Sequence, residues 1–316
     1  MDYISRRQLL LNQRKNNKFS RLDVVVRNSF LNSIGTSKYT FYRDLYKKMQ
    51  FIRTGHNNHM KGVPWVEEFL LLDRSFYKEG YLEEFPLVVN EDKHLINSSH
   101  RAALCLHHKI DKIPISICKD WKRHLEKTGS KTKTYFNYGE SWFEQNNFTD
   151  VEIRLINAAK RQLFDDLNLF FYVILWPPVE KYFLKIYREI EENYEIISYK
   201  QVEFKDNLES VIKDIYEVDN IEEWKLEKKI QSIKESTTSK NVFILKINLF
   251  ATKFRNKTKH PDCVISEDAE LIKRMIRSNY RNKVDKYFYD IIVHMSDNYE
   301  HVDHIREVLK KYNVET

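Results

Sequence analysis

The chain is short of the residues that loosen structure: 316 residues contain only six glycines and six prolines. That scarcity excludes low-complexity linkers and disordered tails. Cysteine is also sparse. Cys105, Cys118 and Cys263 are odd in number, widely spaced and free of any CxxC pair, which argues against a disulfide framework and against a zinc site. No apolar run approaches the roughly 20 residues needed to cross a bilayer. The N-terminal stretch MDYISRRQLLLNQRKNNKF has neither a long apolar segment nor a small-residue cleavage site. The expectation is a soluble protein of a reducing cytoplasm, with no transmembrane segment.

What the chain does have is aromatic and apolar mass. Tyrosine and phenylalanine number nineteen each and 42% of residues are hydrophobic, enough for two cores, since domains run to roughly 100–200 residues. A net charge of +7 and a pI near 9.0 favour anionic partners: nucleotides, phosphorylated substrates, nucleic acid or an anionic membrane surface. Basic residues are densest in SRRQLLLNQRKNNKFSR and KDWKRHLEKTGSKTK. Each run reads either as solvated surface or as a phosphate or membrane contact.

The pattern predicts α+β architecture in three segments: a first domain over 1–120, a helical connector over 121–167 and a second domain over 168–316. In the first, YTFYRDLYKKMQF and VEEFLLLDRSFYKEG have helical spacing, the latter stopping at Gly80. The strand FPLVV, a turn at Asn90–Lys93, a second strand HLI, the helix NSSHRAALCLHH and the strand IPISI follow. In the second, strands FYVILW, EIISYKQVEF, NVFILKINLF and DIIVH alternate with helices, and ATKFRNKTKHP reads as a basic loop. That alternation suits a sheet covered by helices on one face.

Two constellations carry chemistry. Asn97, Ser98, Ser99, His100 and Arg101 sit between a strand and a helix that begins with small residues. Free N–H groups at such a start attract a phosphate, and His100 and Arg101 add donors; a simple capped turn explains the same residues without a ligand. The run FLLLDRSFYKEGYLEEFPLVVNEDKHLINSSHRAALCLHHKIDKIPISI, about 50 residues, resembles the ParB/sulfiredoxin superfamily, including its free-serine-kinase branch. The resemblance implies nucleotide or phosphate binding at Ser98 to Arg101. The family's Asp-Gly is Asn97-Ser98 here, so an acid would have to come from elsewhere. Glu68 is assigned that catalytic place, with Glu67 and Asp73 as alternatives and an exposed helix face as the plain reading. The cluster Gly55, His56, Asn57, Asn58, His59 reads as a solvated loop or a metal or substrate contact.

The second constellation is DIIVHMSDNYEHVDHI, which delivers an imidazole from a strand into a polar turn. With FYVILWPPVEKYFLKIYREIEENYEIISYKQVEF and LIKRMIRSNY it is similar to nucleoside diphosphate kinases, which implies a ferredoxin-like α/β sandwich. By that resemblance His294 matches the phosphoryl carrier, Ser296 and Asp297 its supporting turn, and Arg277 the phosphate-binding arginine. Lys273 and the loop Lys253–Lys259 would supply charge, and Asp297 or Asp290 would orient the ring. Three positions depart from the family pattern: Trp176 replaces its lysine, Met295 its glycine and Ile291 its asparagine. Trp176, Pro177 and Pro178 read as core and turn, or as a stacking platform for a base.

Together these readings lead to an ATP-dependent, or other nucleotide-dependent, phosphotransferase acting on a small hydroxyl acceptor such as an amino acid, polyol or sugar. Mg²⁺ would bridge the nucleotide phosphates without a protein cage. The general look of the chain is similar to proteins of surface-polysaccharide biosynthesis. The rival expectations are a ParB-like nucleotide-responsive DNA-binding protein, for which KDWKRHLEKTGSKTKTYF is the basic helix available, and a non-catalytic scaffold. A homo-oligomer stays open.

Overall fold

A computed structural model describes residues 2–15, 18–59, 62–120, 138–219, 221–249, 252–257, 260–288 and 290–314. The candidate DNA-contacting segment at 119–136 lies outside them from residue 121 onward. The chain is α+β and forms two compact units, Met1–Leu167 and Asn168–Thr316. Among the described residues no helix is long and apolar enough to cross a membrane.

The first unit runs β1 (Asp2–Ile4), α1 (Arg6–Leu11), the small ladder β2 (Arg14–Lys15) and β3 (Lys18–Phe19), α2 (Leu22–Ser33), α3 (Tyr39–Thr54), α4 (Trp65–Glu79), β4 (Leu87–Val89), α5 (Ser99–His107), β5 (Ile113–Ile117), α6 (Glu140–Gln145) and α7 (Asp150–Asp166). Its sheet has the order β1-β5-β4, with β4 parallel and β1 antiparallel to β5. Helix starts follow local chemistry. Ser5 with Gln8 and Thr149 with Glu152 form capping boxes at α1 and α7, and Gly80 ends α4 with φ 72°.

The expected strand HLI forms only the bridge Val89–Leu95. Its backbone is used elsewhere: the Leu95 N–H donates to Gln13 Oε1 (2.9 Å) and its carbonyl accepts from Arg21 Nη1 (2.7 Å). The sheet edge is taken by β1, which the pattern did not announce. Residues 138–167, set apart in sequence as part of a connector, belong to this unit, where α7 packs on α2.

Helix α2 is the centre of the unit, and every residue in it except Asn32 is buried. That includes charge. Asp23 accepts from Arg21 through both oxygens (2.8 and 3.0 Å) and from Arg27 Nη1 (3.0 Å). Arg21 also reaches Ser99 Oγ (2.6 Å) at the start of α5, and Arg27 reaches Gln50 Oε1 (2.6 Å) on α3. Arg21, the last residue of the first basic run, is therefore neither solvated surface nor a phosphate contact; it is 1% exposed. Burial alone would raise the Asp23 carboxyl, but the guanidiniums of Arg21 and Arg27 outweigh it and hold it well below the usual carboxylate range.

The second unit runs β6 (Phe171–Leu175), α8 (Phe183–Glu191), β7 (Glu195–Glu203), α9 (Leu208–Tyr216), α10 (Glu223–Ser236), β8 (Asn241–Asn248), β9 (Phe254–Lys257), β10 (His260–Ser266), α11 (Glu267–Tyr280), β11 (Val293–Met295) and α12 (Tyr299–Lys311). Four strands form one sheet in the order β11-β6-β8-β7, all neighbours antiparallel. Every residue of β6 is fully buried, as its unbroken apolar run requires of a central strand. The expected basic loop after β8 instead carries β9 and β10, an antiparallel pair whose register shifts between His260 and Val264. The Ser266 side chain accepts from the Ala269 N–H (3.1 Å) and starts α11.

Asp23→Asn removes the carboxylate that, among the described residues, pairs with both Arg21 and Arg27 and leaves two buried guanidiniums uncompensated. It is expected to lower the stability of the first unit by about 3–5 kcal/mol in urea unfolding. Asp111→Asn, which breaks an ion pair with Arg6 in which Asp111 is 66% exposed, is expected to cost about 1 kcal/mol or less. Equal losses in the two variants would remove Asp23 from its place as the charge anchor.

Candidate functional site

The anion-site residues of the first unit lie together at the start of α5, where Ser98 and Ser99 are buried and Asn97 is exposed. Ser98 is in the left-handed region (φ 77°) and Asn97 Oδ1 accepts its N–H (2.7 Å). Ser99 Oγ accepts from Arg21 and Ser98 Oγ accepts from Arg101 Nη2, both at 2.6 Å. Arg101 also donates to the carbonyls of Phe85 and Pro86. It clamps the segment that enters β4 and is already occupied as a donor.

His100 points the other way, into an open cleft of about 400 Å³ lined by His59, Trp65, Glu68, Phe69, Leu72 and His100 among others. Its Nε2 is 2.8 Å from Tyr46 Oη, and its ring lies edge-on to Phe69 at 4.7 Å and parallel to Trp65 at 6.4 Å. Burial, reinforced by Arg27 and Arg53, drives the His100 pKa well below that of free histidine, so the ring is neutral. Glu68 Oε1 lies 3.3 Å from His59 Nδ1. Three residues singled out from separate segments, His59, Glu68 and His100, thus share one wall. Glu67 is exposed on α4, and Asp73 is spent on His108 Nε2 (2.8 Å).

In the second unit, the middle residue of β11 is His294, paired in register with Ile174 of β6. Its side chain is 5% exposed and its Nδ1 is 3.6 Å from Asp219 Oδ2. Nε2 is buried without a hydrogen-bond partner. The Tyr216 ring meets it edge-on at 4.6 Å. Behind Tyr216, Lys229 donates to its hydroxyl (3.2 Å) and lies over its ring. Asp297, just after the strand, accepts from Lys273 Nζ of α11 (2.6 Å), which also pairs with Glu270 (3.2 Å). One turn into α12, His301 Nδ1 is 3.8 Å from Asp219 Oδ1. Burial, followed by the charge of Lys273, holds the His294 pKa well below that of free histidine, although Asp297 opposes the shift.

His294, Asp297 and Lys273 are therefore brought together. Arg277 is not part of the group: it pairs with Asp290 (3.3 Å). The carboxylate facing the imidazole is Asp219, which no motif announced. Ser296 accepts from the Tyr172 N–H (2.9 Å) and fixes the turn to β6. Trp176 is 0% exposed, so it is core and not a platform for a base. Lys253 and Arg255 are exposed at β9, and residues 258–259 lie outside the described chain.

Comparison with family models, with curated proteins and with solved structures finds no match to this chain. The site therefore has to be read from its own geometry.

Both histidines are held neutral by the fold, whereas in the unfolded chain each takes a proton near pH 6.5. Between that pH and the depressed folded value the unfolded state binds more protons, so stability is intact above about 6.5 and falls as the pH drops through it. Each histidine contributes a slope of about 1.4 kcal/mol per pH unit there. Urea midpoints taken from about pH 7.5 to about pH 5 should fall in the wild type and fall less steeply in His294→Gln and His100→Gln. A profile unchanged by either substitution would show that neither ring is buried neutral.

Proposed function

We propose that the protein is a phosphotransferase that moves a phosphoryl group from a nucleotide to a small hydroxyl acceptor, with His294 as the carrier. The observation that carries this reading is a neutral, buried imidazole whose Nε2 has no hydrogen bond, set among Lys273, Lys229, Asp297 and Asp219. The carboxylate beside Nδ1 favours the tautomer with its proton there, which leaves the lone pair on Nε2. That nitrogen attacks the terminal phosphorus, the bond to the bridging oxygen breaks, and the nucleoside diphosphate leaves with the electron pair. In the second step the acceptor hydroxyl attacks the phosphorus, the P–N bond breaks, and the hydroxyl proton passes to a neighbouring carboxylate. Lys273 and Lys229 add positive charge to the surroundings in which negative charge spreads during each step. Mg²⁺ bound to the nucleotide phosphates would neutralise part of their charge.

Two features of the backbone favour the accompanying fold reading. Numbered within the four-stranded sheet, the strands have the order 4-1-3-2 with antiparallel neighbours, which suits a ferredoxin-like β-α-β-β-α-β arrangement with α9, α10 and the β9–β10 pair inserted. In the first unit, Ser98 takes up the left-handed conformation at the place where ParB/sulfiredoxin-like chains have glycine. The cleft of the first unit, with Trp65 and His100 in its wall, is within the size range of small-molecule pockets, and we assign it as a nucleotide-binding site of that unit's own.

Incubation with γ-labelled ATP is expected to leave an acid-labile, alkali-stable label on the wild type and none on His294→Asn. Calorimetric titration of ATP, ADP, CTP and GTP with Mg²⁺ should show binding of at least one nucleotide, weakened by His100→Ala. A chain that takes no label and binds no nucleotide is not a phosphotransferase, and the scaffold reading would replace it.

A further inference from the structure

The cleft of the first unit is built on one face of α4. Trp65, Glu68, Phe69 and Leu72 recur at helical spacing along that helix, and all of them line the cleft together with His100 of α5. The two flat rings are held by bonds made outside it. Trp65 Nε1 donates to the His56 carbonyl (3.0 Å), and His100 Nε2 meets the Tyr46 hydroxyl (2.8 Å). With those atoms committed, Trp65 and His100 offer a ligand their faces, whose planes lie within 6° of parallel. An aromatic face stacks on any nucleobase and does not choose among them.

The choice falls to Glu68. Among the described residues it is the acid that lines the cleft, and its side chain is 40% exposed. His59 Nδ1 stands 3.3 Å from Oε1 but has no hydrogen-bond partner among the described residues, so the carboxylate keeps its acceptor sites open.

A carboxylate accepts at two oxygens side by side and donates nothing. It therefore pairs with two adjacent N–H donors and is repelled by a lone pair set beside a donor. Guanine shows such an edge, with N1–H beside its 2-amino group. Adenine sets its amino group beside the bare lone pair of N1, cytosine sets its amino group beside that of N3, and uracil flanks one N–H with two carbonyls. A site that reads a base through one carboxylate thus discriminates for guanine.

We propose that this cleft selects guanine nucleotides: the base stacks on the Trp65 ring, and its N1–H and 2-amino edge pairs with the two oxygens of Glu68. The inference rests on the reading of the cleft as a nucleotide site and names the base that it takes.

The test is calorimetric titration of GMP, IMP, AMP and CMP, which carry the same phosphate, into the full chain. IMP keeps N1–H but lacks the 2-amino group. GMP is expected to bind the wild type at least about tenfold more tightly than the other three. Glu68→Gln should weaken GMP by at least about tenfold without weakening AMP or CMP, and Trp65→Ala should weaken every nucleotide that binds. Glu67→Gln, the same change of charge on the exposed neighbour, should leave all of them unaltered. Circular dichroism checks that each variant folds. If no mononucleotide binds the wild type, the nucleotide reading of the cleft falls and this inference falls with it. If IMP, AMP or CMP binds as tightly as GMP, the nucleotide reading stands and guanine selection is overturned. A preference for GMP that survives Glu68→Gln, or that Glu67→Gln abolishes equally, overturns the assignment to this carboxylate. Should Glu68→Gln fail to fold, the comparison of GMP with IMP in the wild type decides.

Discussion

A charge taken out of water must find its counter-charge inside the chain, and each unit is organised around one such pairing. In the first, the Asp23 carboxylate accepts from Arg21 and Arg27 in a site with almost no exposure. The same two arginines reach α3 through Gln50 and α5 through Ser99, so one anion sets the relative positions of three helices. An isolated buried guanidinium would cost several kcal/mol; here the geometry is bidentate and most remaining donors reach carbonyl or side-chain oxygens. The N-terminus of α5 and the cleft face of His100 are consequences of this arrangement.

The second unit applies the same constraint to a smaller group. Lys273 and Asp297 pair at 2.6 Å, 10% and 6% exposed, beside a histidine that escapes the problem by staying neutral. Burial and the lysine charge both act against protonation of His294. A ring kept neutral by its surroundings has a lone pair to offer at ordinary pH, and Nε2 of this ring has no hydrogen-bond partner among the described residues. The physical requirement of the fold, no unpaired charge in the core, thereby leaves a neutral imidazole among charged side chains.

Much of this was legible in sequence because it follows local rules. Continuous apolar runs gave β6 and β8, helical spacing and its stop at Gly80 gave α4, and DIIVHMSDN placed His294 on a strand with Asp297 in the turn after it. What was not legible depends on distance along the chain. Arg21 belongs to a run that reads as basic surface, and only its placement against Asp23 and Ser99, 78 residues away, makes it core. The pattern did not announce helix α2, whose Asp23 and Arg27 neutralise one another only once buried. The HLI strand failed because Gln13 and Arg21 claim its backbone groups. His301 stood in the quoted stretch, but it has no meaning without Asp219, which arrives from the turn after α9 with no motif around it.

The two histidines singled out from sequence end in similar electrostatic conditions, yet their chemical prospects differ. His100 has Nε2 committed to the Tyr46 hydroxyl, and aromatic rings border it on several sides. Its hydrogen bond fixes the ring as part of a wall, and a ligand in that cleft would meet its face. His294 has a carboxylate at a distance too long to be a hydrogen bond and a second nitrogen with no hydrogen-bond partner among the described residues. Buried polar atoms are almost always satisfied, and the exceptions concentrate where another species completes the site. The arrangement around His294 thus makes binding chemistry the economical explanation: Lys273 is answered by Asp297 and Glu270, and the imidazole Nε2 is left without a hydrogen bond among the described residues. A purely structural histidine in the same strand would have been better served by the arrangement found at His100.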